Sequence, residues 1–233
     1  MTSEQERILR WRYDAAQASG GVSNDPIYEL FSRLVLSHGL KGRLLDFGAG
    51  RGILTRCLFD LNIFSYVAAV DILERSETLP LGIKWSHCDL NERTTLEDEQ
   101  FDVIVSAEVI EHLENPRAVA REWFRLLKPG GQVLFSTPNN ESIRAILALI
   151  FRGHYVCFGE GSYPAHIVAL LRKDIERILD EAGFVGYEFH FTNHGSIPKL
   201  PRVTWQLVSF GSLRGVRFSD NVLCIACKPG ARE

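Results

Sequence analysis

Between residues 43 and 136 the chain repeats one unit, a short apolar run followed by a segment with helical spacing. Arg43–Phe47, Tyr66–Asp71, Ile83–His87, Phe101–Val105 and Gln132–Ser136 read as strands. Between them, Leu54, Cys57, Leu58 and Leu61 recur at helical spacing. Val119, Ala120, Trp123, Phe124 and Leu127 form one apolar helix face behind an Asn115-Pro116 start, and Lys128–Gly131 ends that helix. Asn139-Asn140 is expected to cap a helix from Ser142 onward. Ile175, Ile178, Leu179 and Ala182 mark a later helix closed by Gly183, and Phe184–Phe191 and Asn221–Cys227 are the last strand candidates. This alternation predicts a doubly wound α/β fold, a mostly parallel sheet with helices on both faces. Residues 1–40, 151–171 and 192–220 fall outside it and are expected to supply cap and substrate-facing pieces.

A chain of 233 residues suits a single α/β domain, and its net charge of -3 exerts no general pull on nucleic acid or anionic membrane. Five scattered cysteines suggest reduced thiols and a cytoplasmic protein rather than a disulfide framework. Cys224 and Cys227 form a CxxC, but three residues apart on a strand they face opposite ways and read as small core residues. The N-terminus is polar, with no apolar signal core. The longest greasy stretch, Ile143–Phe151, is far short of the ~20 residues needed to span a bilayer; it reads as a buried or a surface-seeking helix, and peripheral membrane contact is left open.

The first strand runs into Asp46-Phe47-Gly48-Ala49-Gly50-Arg51-Gly52. Glycines between a parallel strand and a helix let a ligand approach the backbone, at the carboxyl edge where such sheets bind ligands. Asp71 closes the next strand, 19 residues after Gly52, where a carboxylate can accept both hydroxyls of a ribose. Asp89 follows the third strand; taken singly it reads as a loop or cap residue, and in sequence with the glycine loop and Asp71 it could take the exocyclic amine of adenine. Glu108, Glu111 and His112 stand at i, i+3 and i+4, which on a helix would share one face. Arg117, Arg121 and Arg125 read as a solvated helix side. Gly153–Gly159 and the segment around Trp205 are either acceptor-pocket walls or lid and core packing.

The order of glycine loop, strand-end acid and third acid resembles motifs I to III of class I S-adenosylmethionine (SAM)-dependent methyltransferases. The likeness continues through Phe101–Leu113 and Leu126–Asn139, so it covers roughly residues 42 to 140. The wording Glu-Val-Ile-Glu-His-Leu and Ser-Thr-Pro-Asn is similar to the branch that includes ubiquinone-pathway O-methyltransferases, and to small-RNA 3′-terminal 2′-O-methyltransferases. The resemblance implies a Rossmann-like seven-stranded sheet with an antiparallel last strand. It implies one domain over 1–233: a helical cap at 1–40, a SAM-binding core at 41–140, substrate-facing insertions at 141–220, and a last strand and tail at 221–233. It also implies roles. Asp46 and the loop of Gly48, Ala49 and Gly50 would hold the amino-acid end of SAM, Asp71 the ribose, with Ile72 beside the adenine. Asp89 and the Leu90 amide would read the adenine edge, and Ala107 would pass close to the methionine portion.

The expected reaction is methyl transfer to a small-molecule acceptor, foremost a hydroxyl, with His112 as candidate base and Glu108 beside it. In the RNA-modifying relatives a similar Glu-x-x-Glu-His set with a distant histidine, here His166, binds a divalent metal, which makes a metal-assisted RNA-end 2′-O-methyltransferase the main alternative; no metal ligand is assigned. An NAD(P)-dependent oxidoreductase ranks lower, because the loop reads G-x-G-x-G rather than G-x-G-x-x-G. A non-catalytic SAM-fold scaffold would not need Asp46, Asp71 and Asp89 intact.

Overall fold

The computed structural model describes residues 2–230; Met1 of the expected cap and the last three residues of the expected tail lie outside the described residues. Two helices lead in, α1 (Ser3–Ala18) and α2 (Asp25–Ser37). Then come β1 (Gly42–Phe47), α3 (Ile53–Asp60), β2 (Phe64–Asp71), β3 (Lys84–His87), β4 (Phe101–Ala107), α4 (Pro116–Leu126), β5 (Leu127–Pro138) and α5 (Ile143–Arg152). The chain continues with α6 (Arg172–Ala182), β6 (Val185–Phe191), β7 (Ser196–Ile197), β8 (Leu200–Thr204), α7 (Trp205–Val208) and β9 (Asn221–Cys227). One seven-stranded sheet has the order β3-β2-β1-β4-β5-β9-β6, and β7 and β8 form a separate ribbon. The pairs from β3 to β5 are parallel, whereas β9 runs antiparallel to both β5 and β6. The expected doubly wound sheet with an antiparallel last strand is the observed one.

The strands are apolar almost throughout because both faces are covered. Alternate residues of β1 serve opposite layers. Leu45 and Phe47 join a core with Val119, Trp123 and Phe135 beneath α4 and α6, while Leu44 joins Phe31, Leu34, Leu54 and Leu58 beneath α2 and α3. Trp123 is fully buried, edge-on to Phe47 at 6.0 Å and tilted over Phe135 at 4.9 Å. Truncating such an anchor to alanine costs about 3–5 kcal/mol. Cys224 lies in the first of these cores, and Cys227 is only half-buried three residues further along β9.

Helix starts follow the sequence with one correction. Asn115 caps α4 through Ala118 N–H, with Pro116 in the first turn. Ser142, not Asn139-Asn140, caps α5. The Asn139 amide instead donates to the Val216 and Ser219 carbonyls, and that of Asn140 to Leu170. Arg125 also departs from a solvated stripe. Its side chain is 15% exposed and pairs with Glu122 and Asp98, whereas Arg117 is open and pairs with Glu181. The greasy helix α5 is amphipathic, burying Ala145 and Ala148 and exposing Ile150 and Phe151. Among the described residues no helix is long and apolar enough to cross a membrane.

Candidate active site

The strand order reverses between β1 and β4, so the loops after these strands diverge and leave a crevice at their carboxyl ends. A cavity of about 400 Å³ opens there. Asp46, Gly48, Ala49, Gly50, Asp71, Ile72, Asp89, Leu90, Ala107, Glu108 and His112 all line it. Of the segments outside the alternation, α1 contributes Trp11 and Arg12 to the wall, and the 151–171 stretch contributes Pro164 and His166. Among the described residues, none of 192–220 lines the cavity; Trp205 packs against Phe218 at 5.7 Å.

The glycine loop is tightly built. Gly48 and Ala49 both donate N–H bonds to the Val70 carbonyl, at 2.8 and 3.3 Å, and Arg51 N–H donates to Gly21 O at 2.9 Å. Gly50 N–H donates to Asp71 Oδ2 at 2.7 Å. Both glycines sit at positive φ, 84° and 54°; a Cβ on Gly48 would run into Val109, and one on Gly50 into the Gly21 carbonyl. The loop's N–H groups are thus spent inside the protein. The Gly48 and Gly50 carbonyls accept no hydrogen bond among the described residues, so the loop is equipped for a cationic group rather than an anion.

Three aspartates line the cavity. Asp46 is 1% exposed and accepts the Thr55 hydroxyl at 2.6 Å. Burial pushes its carboxyl up to about 7, against the pull of that hydroxyl and with the Asp71 charge adding to the rise. Asp71 is raised by burial as well, opposed by its backbone donors Leu73 and Gly50. Asp89 accepts Asn91 N–H and Nδ2 on Oδ1, at 3.0 and 3.2 Å, and Arg12 Nη1 on Oδ2 at 2.7 Å. No local pattern announces Arg12, which lies 77 residues before Asp89; it is the main site residue that sequence reasoning misses.

At the other end, Glu108, Glu111 and His112 do not share an α-helical face. Glu108 has φ 54°, and only a short 3-10 turn, Ile110–His112, follows, so the expected i, i+3, i+4 geometry is replaced by a kinked turn. The Glu108 N–H donates to Ser136 Oγ at 3.0 Å and its Oε2 accepts Asn221 Nδ2 at 2.9 Å; burial pushes its carboxyl up to about 7. Glu111 is fully buried, and neither carboxylate oxygen has a hydrogen-bond partner. Burial and then the Glu108 charge hold it well above the usual carboxylate range. Its carbonyl accepts Ile167 and Val168 N–H at 2.9 and 3.0 Å, which docks the 164–168 segment here.

That docking sets two histidines together. His112 and His166 have ring centroids 4.6 Å apart. His112 Nδ1 lies 2.9 Å from the Ala165 carbonyl, which assigns the ring proton to Nδ1 and leaves Nε2 as the acceptor. Burial, then His166, pull His112 down to about 4. One ligand atom each from Glu111, His112 and His166 fall within 4.8 Å of one another.

Residues 6–188 match the family described as a methyltransferase domain. The ubiquinone biosynthesis O-methyltransferase of Pseudomonas fluorescens is 34% identical over 121 residues, 48% of this chain and 51% of that one. The protein of that name from Pseudomonas entomophila is 33% identical over 116 residues, 46% and 49% of the two chains. The chain thus spans about half the length of the curated relatives it matches. Among solved structures, a SAM-dependent methyltransferase from Archaeoglobus fulgidus superimposes with a TM-score of 0.60 at 19% identity, covering 86% of this chain and 94% of that one. A putative methyltransferase from Haloferax volcanii, in complex with the activator Trm112, gives 0.61 at 14% identity, covering 95% and 97%; likeness at these identities speaks to the fold alone. With residues 6–188 matched by the family model and the acids and glycine loop converging on one cavity, this chain belongs to the methyltransferase-domain family and has the fold of the solved SAM-dependent methyltransferases.

Proposed function

We propose that the protein moves the sulfonium methyl group of SAM to a hydroxyl oxygen of a small molecule. The observation that carries this reading is the continuity of the cavity, from Asp71 and Asp89 at one end to Glu108, His112 and Trp11. The relatives named for O-methylation in ubiquinone biosynthesis support the choice of oxygen. A net charge of -3 supports a small acceptor over a nucleic acid. We assign the whole chain to one domain, with residues 1–40 as its cap, and place it in the cytoplasm on the strength of its five unpaired cysteines.

When bound, SAM supplies an electrophilic methyl group whose leaving group is a neutral thioether. Asp46 and the Gly48 and Gly50 carbonyls would hold its ammonium, and Asp71 its ribose hydroxyls. Ile72 would lie beside the adenine, Asp89 and the Leu90 amide on the adenine edge, and Ala107 along the methionine chain. Positioning of this kind contributes about 7–11 kcal/mol of barrier reduction. The acceptor proton would pass to His112 Nε2, which stays unprotonated near neutral pH because burial depresses its basicity. A placed base adds a factor of about 10²–10⁴.

A second reading is favoured by one observation, the buried Glu111 carboxylate with both oxygens unpartnered beside His112 and His166. Two imidazole nitrogens and a carboxylate suit a divalent cation, which would neutralise the acidic pair and polarise the acceptor oxygen. In that reading His112 is a ligand and the acceptor is an RNA end or a small diol. Labelled-methyl transfer from SAM to panels of phenols, amines, sugars and short RNAs separates these readings. Transfer to nitrogen or to RNA alone overturns the main one, and full activity after exhaustive chelation overturns the metal-assisted one.

A further inference from the structure

Helix α1 walls the cavity without being packed into the protein. It has no buried residue, yet Trp11, Arg12, Ala15 and Ala16 line the cavity. A helix with so little apolar burial is not held by its own hydrophobic face. Its one deep attachment is Arg12, whose side chain is 14% exposed. Nη1 donates to Asp89 Oδ2 at 2.7 Å and to Glu92 Oε1 at 3.0 Å. Nε and Nη2 donate to the two oxygens of Glu114, at 2.9 and 2.7 Å. A planar guanidinium can bridge three carboxylates in this way, and an ammonium cannot. Without it, three like charges would face one another.

Resting on the reading of Asp89 as the acid that takes the adenine amine, we propose that Arg12 is a positioning residue for base recognition. Asp89 Oδ1 is committed to the N–H and side chain of Asn91. Oδ2 has one lone pair engaged by Arg12, which leaves the other for the base. Arg12 thereby fixes the plane of the carboxylate, and the same clamp keeps α1 over the nucleoside end. A carboxylate held this way accepts from adenine, which carries an amine, and rejects hypoxanthine, which presents a carbonyl oxygen in the same place.

The test is calorimetric binding of S-adenosylhomocysteine and S-inosylhomocysteine to the full chain and to Arg12→Ala, Arg12→Lys and Asp89→Asn, with Arg10→Ala as an exposed control on the same helix. The unaltered chain is expected to prefer the adenosyl ligand by at least ~10-fold, the scale of one charge-assisted hydrogen bond. Arg12→Ala is expected to weaken adenosyl binding by about that factor and to leave inosyl binding nearly unchanged, so that the preference collapses. Asp89→Asn should collapse it equally, the double variant should add nothing, and Arg12→Lys should fall between. Equal weakening of both ligands by Arg12→Ala, or no change in either, overturns the inference, since a purely structural role for α1 cannot alter the ratio. If the unaltered chain binds neither ligand, the cofactor reading itself fails; if it discriminates and Asp89→Asn still does, the role of Asp89 falls and this inference with it.

Discussion

The Gly50 N–H and the Asp71 carboxylate meet at 2.7 Å, joining the turn after β1 to the end of β2. The acid read as a ribose acceptor is therefore also a structural part of the glycine loop. Its other oxygen holds Leu73 N–H at 2.8 Å, so the carboxylate is fixed before any ligand arrives.

Replacing Asp71 by alanine removes the proposed ribose acceptor and strands two backbone donors, Gly50 N–H and Leu73 N–H. SAM affinity is expected to fall by roughly 10- to 100-fold, as for loss of hydrogen bonds to a charged group. Isothermal calorimetry measures this; a dissociation constant within twofold of the unaltered protein contradicts the assignment.

Gly50→Ala places a methyl group on the Gly21 carbonyl at a positive φ. The expected cost is about 2–3 kcal/mol, a fall in Tm of roughly 5–10 °C for a domain of this size. Gly161→Ala, which meets nothing nearby and needs no positive φ, should change Tm by no more than a degree or two. Thermal unfolding of the pair decides whether the loop is as constrained as its contacts indicate.

SAM affinity should depend on pH through Asp46. Its folded carboxyl titrates near 7, above its value of about 3.9 in an unfolded chain. The ligand-free fold therefore keeps a proton that the unfolded chain sheds, and this group costs stability progressively as pH rises from about 4 through 7. An ammonium ligand needs the ionised form, so binding should strengthen by up to about tenfold per pH unit below 7 and level off above it. Asp46→Asn should flatten the profile; an unchanged slope in that variant would place the titrating group elsewhere.

The Glu122 carboxylate holds Thr94 through both its N–H and its hydroxyl, at 2.9 and 2.7 Å, and Arg125 through Nε and Nη2, at 2.8 and 2.6 Å. Glu122→Ala leaves a largely buried guanidinium without its main partner and should cost about 3 kcal/mol. Urea unfolding should show the midpoint moving with no change in slope, while SAM binding by the folded variant stays close to that of the unaltered chain.

Local sequence determined the seven strands, the helices between them and the turn at Gly48–Gly52, because strands buried on both faces must be apolar and a Cβ at Gly48 or Gly50 has nowhere to go. Parallel topology then carries Asp46, Asp71 and Asp89 to one edge without further information, since each stands at or just past the carboxyl end of its strand. What only the tertiary structure decided are the contacts made by segments with no periodicity of their own. Arg12 reaches Asp89 across 77 residues, and Ala165 meets His112 across 53, bringing His166 with it. The left-handed Glu108 breaks the helical face that the spacing of Glu108, Glu111 and His112 suggests. These depend on how loops dock on the finished sheet. Docking is governed by shape and charge between distant segments, which no local pattern of side chains encodes.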